Sequence, residues 1–273
     1  MTITQATSES AMDSSEEIVL SIITVVRNDA QRLSKTINSL VNFYGDRRFE
    51  HIVIDGKSSD QTLAVLRQNS EHMNFHYLSE TDNGIYYGMN KGIALAKGRF
   101  MLFLNCGDRM ASAPDLIIRS LKTAGLADSV DIVCFCSRMC YGTHTSVLIP
   151  QAGRLHKMPT SHQAMVFSRT FMQAHIYDTR YRIAADFNLY LSADSRRVLV
   201  FTGSEPLTDI EAAGVASQNP WHSYKEYLRI AAEKLHGSRK WIVMARIACK
   251  ALAAILLKST LPKAWLDALG RRA

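Results

Sequence analysis

The sequence predicts an α/β fold: a mostly parallel, Rossmann-like central sheet flanked by helices, followed by a C-terminal helical extension. Three observations carry this. Short, β-branched apolar runs alternate with segments of helical periodicity over roughly the first 140 residues. Polar and acidic residues gather immediately after those runs, where ligands sit in such sheets. Beyond residue 140 the alternation weakens and a long, basic, amphipathic segment closes the chain.

Val19 to Val26 (VLSIITVV) has the composition of a strand buried on both faces. Asp29 to Asn42 follows, with Leu33, Ile37, Leu40 and Val41 at helical spacing. Ile52 to Asp55 is a second strand, Asp60 to Gln68 a helix and Phe75 to Leu78 a third strand. Ile85 to Ala96 reads as a helix stopped at Gly98, and Phe100 to Leu104 as a fourth strand. Pro114 opens another helix, and Asp131 to Cys136 is a further strand. Pro150 to Thr160 is loop-like, whereas Ile183 to Leu191, Tyr224 to Leu235 and Arg239 to Lys258 read as helices. The boundaries expected are a loose leader over 1–17, the α/β domain over 18–218 and the helical extension over 219–273.

Composition narrows the class. A length of 273 residues allows one sizeable domain plus an extension, and 47% hydrophobic against 21% charged residues excludes global disorder. The net charge of +7 concerns partners: nucleic acid, anionic lipid or phosphorylated small molecules. The positive charge concentrates in the tail and no recognition motif accompanies it, so a nucleic-acid partner is not expected. The odd count of five cysteines argues against a disulfide framework. Cys134, Cys136 and Cys140 lack paired metal-site spacing and read as structural. No basic-then-apolar leader and no run of eighteen apolar residues occurs, so a reduced cytoplasmic setting is the expectation.

Strand ends supply the candidate chemistry. Thr24 and Arg27 follow the first strand, Asp55 to Thr62 (DGKSSDQT) the second, Glu80 to Gly84 the third and Asn105 to Asp108 (NCGD) the fourth. Each could be a turn or cap taken alone, as Asp60 could cap a helix. Together they deliver acids from three strands to one edge. A nucleoside diphosphate and its divalent cation call for such a set: carboxylate oxygens for a hard metal and cationic side chains for phosphate. Asp55 is placed for base reading, Asp108 for metal, and Arg27 for phosphate. Lys57 reads as either a phosphate contact or a solvated loop residue.

Four ordered segments, SIITVVRND, HIVIDGKSSDQT, SETDNGIYYGMNKGIALAKG and MLFLNCGD, resemble family 2 glycosyltransferases of the GT-A fold. Within that family they are similar to colanic-acid-type and amylovoran-like exopolysaccharide enzymes. The resemblance spans Val19 to Asp108 and continues more weakly through SHQAMVF, YRIAADFNLYL and IEAAGVASQ. It implies that Thr24, Arg27, Asp55, Asp60 and Asp82 bind the donor nucleotide. It places Asn105 and Asp108 at a Mg2+ or Mn2+ ion, and His162 and Gln163 near the donor sugar or acceptor. It makes Asp186 the base of an inverting transfer; Asp186 also reads as a first-turn helix acid. Departures are Lys57 and Gln61 in place of glycines, Asn105 and Gly107 in place of the acids of a D-x-D pattern, and Tyr87 where relatives carry Asp.

The resemblance implies a hexosyltransferase moving sugar from a nucleotide-sugar donor to a lipid-linked or oligosaccharide acceptor, such as a polyprenyl-diphosphate-linked sugar, in exopolysaccharide biosynthesis. Arg239, Arg246 and Lys250 share one face of the tail helix, which fits an anionic membrane surface and a peripheral place at the inner membrane. Two other readings stand beside it: a non-catalytic nucleotide-sugar-binding assembly subunit, and a sugar-nucleotide pyrophosphorylase. The second wants a glycine-rich loop after the first strand, where VVRNDA stands.

Overall fold

The first apolar run becomes β1 (Leu20–Val26), paired in parallel with β2 (Phe49–Asp55) on one side and β4 (Phe100–Phe103) on the other. In the computed structural model, residues 17–123, 129–151, 158–201, 203–212 and 220–260 are described. The expected leader lies almost wholly outside them, as does most of the 150–160 loop. β3 (Phe75–Ser79) pairs with β2, also in parallel. Helices α1 (Ala30–Ser39), α2 (Thr62–Asn69) and α3 (Ile85–Leu95) make the crossovers. Asp29 caps α1 by accepting from Arg32 N, so the helix starts one residue later than its periodicity suggests.

Beyond β4, residues Arg109–Met110 form β5, and α4 spans Pro114–Thr123. Next come β6 (Ile132–Cys134), β7 (Ser137–Tyr141), β8 (His144–Leu148), β9 (Met165–Ser168) and α5 (Arg169–Ala174). Then follow α6 (Ala185–Tyr190), β10 (Val198–Val200), β11 (Thr208–Glu211), α7 (Pro220–Lys234) and α8 (Gly237–Thr260).

The main sheet has seven strands in the order β10-β6-β9-β4-β1-β2-β3. All pairings are parallel except those of β9, which runs antiparallel to both β4 and β6. A second, four-stranded sheet, β5-β11-β7-β8, stands beside it. The Rossmann-like sheet with flanking helices is therefore as expected, and the second sheet is an addition. Cys134 and Cys136 are buried, and burial pushes the Cys134 thiol up to about 12.

The core explains why the strand ends hold still. Ile23, Ile52, Ile54, Met101 and Phe103 pack under α3 with Phe167, Tyr177 and Phe187. Ile230 of α7 is fully buried in this same cluster, so α7 is built into the domain. α8 packs on α7 through Val243 and Ile247 against Ala231 and Leu235.

One buried polar chain ties the sheet together. Thr24 donates its hydroxyl proton to Leu104 O at 2.8 Å, so its oxygen accepts from His51 Nε2 at 3.0 Å. His51 Nδ1 then accepts from the Tyr44 hydroxyl at 2.9 Å. This fixes a neutral imidazole, and burial pushes its pKa down to about 3. The folded pKa lies below the unfolded value of about 6.5, so this contribution is complete above that pH and is lost on acidification. The slope below it is about 1.4 kcal/mol per pH unit. Denaturant unfolding between pH 7 and 4.5 should show wild type losing stability more steeply than His51→Asn. Parallel slopes would remove His51 as the cause.

Candidate active site

The carboxyl edge of β1, β2, β3 and β4 gathers two groups of polar residues. In the first, the loops after β1 and β2 are stitched together. Asn28 takes a left-handed backbone (φ 52°), and its Oδ1 accepts from Ser59 N at 2.7 Å. Its own N–H donates to Ser58 Oγ at 2.7 Å. Asp60 accepts from Ala30 N and Thr62 N, so it holds α1 and α2 at their starts. The Thr62 side-chain hydroxyl, and then these backbone hydrogen bonds, keep its carboxyl below the usual range.

Asp55 is fully buried at the end of β2 and accepts from the Ser58 hydroxyl and from Ser79 Oγ, the latter at 2.6 Å. Gly56 is where the loops touch: a Cβ there would lie 3.0 Å from Asp82 Oδ2 and 3.3 Å from Arg27 Cδ. Glycine thus lets Arg27 and Asp82 face each other across the edge. Arg27 is exposed and pairs with no acid among the described residues. Lys57 adopts φ 55° at the position of the missing glycine. A left-handed lysine costs on the order of 1–2 kcal/mol. Its side chain is exposed.

The second group joins elements far apart in sequence. Asn105 Nδ2 lies 3.0 Å from His162 Nε2, and His162 Nδ1 lies 3.3 Å from Asp186 Oδ2. With the amide nitrogen facing it, Nε2 accepts and Nδ1 carries its proton toward Asp186. Asp186 Oδ1 accepts from Phe187 N at 2.8 Å. Only 8% of Asp186 is exposed. It sits in the first turn of α6, and the two contacts together aim its carboxylate. Next to this chain, Gln163 Nε2 donates to Asp108 Oδ2 at 2.9 Å, and Glu211 N donates to Asp108 Oδ1 at 2.9 Å. Burial raises the Asp108 pKa, opposed by those hydrogen bonds and by His162 and Arg32.

Gly107 makes this turn possible. It has φ 99°, and a Cβ would lie 2.4 Å from Arg32 Nε. Arg32 is committed to Glu211 at 3.0 Å, and among the described residues no cationic side chain bonds Asp108. Asp108 is thus a buried carboxylate with one neutral donor on each oxygen. Such a group fits a divalent cation bound by one or two carboxylates, with substrate phosphates completing the shell. Asn105 Oδ1 is the neighbouring acceptor. No three His, Cys, Asp or Glu side chains converge into a metal cage among the described residues.

Of the residues expected at the site, Arg27, Asp55, Asp60 and Asp82 lie on the loops around Gly56. Asn105, Asp108, His162, Gln163 and Asp186 form the second group. Thr24 departs from expectation: its side chain is enclosed between strands and bonds Leu104 O and His51, so it props the edge from within. Glu226 of α7 was not foreseen. Its carboxylate accepts from Arg182 N, Ile183 N and Ala184 N at 2.8, 2.9 and 2.9 Å, directly before α6.

The chain is similar to known glycosyltransferases in sequence and in fold. The model of glycosyl transferase family 2 matches residues 21–117. An uncharacterized glycosyltransferase of Mycobacterium tuberculosis is 39% identical over 103 residues, which span 38% of this chain and 38% of that protein. A PGL/p-HBAD biosynthesis glycosyltransferase of Mycobacterium bovis is 29% identical over 67% of this chain and 72% of its own length. Among solved structures, S. aureus TarS 1-349 in complex with UDP superposes with a TM-score of 0.67 at 18% identity, covering 93% of this chain and 79% of TarS 1-349. The mannosyltransferase PcManGT from Pyrobaculum calidifontis, in complex with GDP-Man and Mn2+, gives 0.59 at 15% identity with the same coverages. Residues 21–117 thus resemble glycosyl transferase family 2, and the sheet with its flanking helices shares the fold of these solved GT-A structures.

Proposed function

We propose that this chain is a family 2 glycosyltransferase that moves a sugar from a nucleotide-sugar donor to an acceptor hydroxyl by direct, inverting displacement. The observation that carries the reading is the aimed carboxylate of Asp186, fixed between Phe187 N and His162 beside the nucleotide-type sheet edge. The donor's base and ribose lie along the loops of Asp55 and Asp82, and Arg27 neutralises phosphate. Asp108, with Asn105, would hold a Mg2+ or Mn2+ ion, which when bound offsets the charge of the diphosphate. Asp186 accepts the acceptor's hydroxyl proton as that oxygen bonds to the anomeric carbon and the diphosphate departs. His162 keeps the carboxylate oriented. Gln163 keeps Asp108 in place.

Thermal shift with UDP-, GDP- and dTDP-sugars tests the donor half. One nucleotide class should raise the midpoint, since a ligand at a hundred times its Kd adds about 2.7 kcal/mol. No shift with any of the three would overturn it.

The acceptor we assign is a lipid-linked or oligosaccharide chain in exopolysaccharide biosynthesis, a reading supported by the motif resemblance. A peripheral position at the cytoplasmic face suits it. α8 supports that position. Its packed face is Val243, Ile247 and Ala251, while Trp241 (69% exposed), Ile242 and Leu252 point away. Helical spacing sets Arg239, Arg246 and Lys250 along the flank of this exposed apolar arc. Such an arrangement lies in an anionic interface. No helix among the described residues is long and apolar enough to cross a membrane. Full-length protein should sediment with phosphatidylglycerol vesicles, and a chain ending before Arg239 should not. Equal sedimentation of the two would assign the contact elsewhere.

A further inference from the structure

A cavity of about 270 Å³ opens between the start of α3 and the segment before α6, bounded by Gly84, Tyr86, Tyr87, Thr179, Tyr181 and Arg182. None of these residues has a place in the donor site described above. The cavity is smaller than the about 300 Å³ at which pockets for drug-sized ligands begin, so it suits one sugar residue. One wall is shared with the base: the Tyr86 hydroxyl donates to Ile183 O at 2.7 Å, three residues before Asp186. The other is braced from α7, where Glu226 holds Arg182 N, and Glu233 accepts from the Tyr181 hydroxyl at 2.7 Å.

We propose that this cavity is the acceptor subsite and that it recognises an anionic saccharide, Tyr87 meeting the sugar face and Arg182 the negative group. The assignment rests on Asp186 as base, because the cavity wall reaches toward that residue through the Tyr86–Ile183 hydrogen bond. Tyr87 is 39% exposed, so its ring is open to a partner in the cavity. Arg182 is exposed and forms no ion pair among the described residues. The acids near it are engaged otherwise. Asp178 holds Arg180, Glu233 holds Tyr181 and Arg229, and Glu226 holds backbone N–H groups. An unpaired guanidinium beside aromatic rings matches a sugar bearing a phosphate or a carboxylate.

The test uses full-length protein saturated with whichever of UDP, GDP or dTDP stabilises it most, so that the donor pocket is filled. Glucose, galactose and mannose 1-phosphates, glucuronate and methyl glucoside are then titrated by thermal shift. A 1-phosphate or glucuronate should raise the midpoint and methyl glucoside should not, and which anion works identifies its chemistry. Arg182→Ala should weaken that binding by about tenfold or more. Tyr87→Ala should weaken it as well, and persistence of the nucleotide's own shift in each variant shows an intact fold. Absence of any anion-dependent shift, an equal response to methyl glucoside, or undiminished binding in Arg182→Ala would overturn the proposal. The readout is binding, so it stands apart from the turnover that tests Asp186.

Discussion

Asp186→Asn is expected to lower transfer by about 10²- to 10⁴-fold in kcat while leaving nucleotide binding near wild type. The substitution keeps size and shape and removes the proton acceptor. Asp186 lies in the second polar group, away from the Gly56 loops to which we assign the donor nucleotide, which is why binding and turnover should separate. His162 is a positioning residue in this account, since its Nδ1 lies against the carboxylate. His162→Ala should therefore cost less than Asp186→Asn. Turnover kinetics with titrated donor measure both. Near-normal kcat in Asp186→Asn would take the base role from this residue.

Glu226→Ala should lower stability and turnover together. Three backbone N–H groups lose a charged acceptor, and each such bond is ordinarily worth on the order of 1.5–3 kcal/mol. Glu226 is only half-buried and water replaces part of that, so a net loss of about 2 kcal/mol is expected. That corresponds to a midpoint about 4–8 °C lower for a domain of this size. The same three residues lead directly into α6, so Asp186 loses its aim, and small misplacements cost up to about a hundredfold in rate. Glu226→Gln keeps one oxygen for the N–H groups and should fall between. A fall in midpoint with unchanged kcat would make Glu226 a structural clamp with no bearing on the base.

The contrast between β2 and β9 shows what the sequence discloses. β2 lies at the buried heart of a parallel sheet, so its apolar run HIVID reads as a strand without help. β9 (MVFS) reads equally well as apolar, yet nothing local says that it inserts antiparallel between β4 and β6. The second sheet was hidden for another reason. β7 and β8 are partly exposed and mixed in composition, and β5 has two residues, so neither periodicity nor length marks them.

The site divides the same way. Asp55, Asp82 and Asp108 follow strand ends and could be placed on one edge from topology alone. Thr24 also ends a strand run, but side-chain alternation turns it inward toward His51, which a list of strand-end residues does not register. The His162–Asp186 contact joins residues 24 positions apart, on β9's approach and on α6, and only the tertiary fold creates it. Glu226 gave no signal at all: an acid on an amphipathic helix looks solvated until its partners, three backbone N–H groups, are seen.

The most direct test of the central claim is release of nucleoside diphosphate from the stabilising sugar nucleotide, measured with and without Mn2+ for wild type and Asp186→Asn. The account predicts release by wild type that Mn2+ enhances, and nucleotide binding without release by Asp186→Asn. Tight nucleotide-sugar binding with no release by wild type, with Mn2+ and an acceptor extract supplied, would contradict it and make the chain a binding subunit.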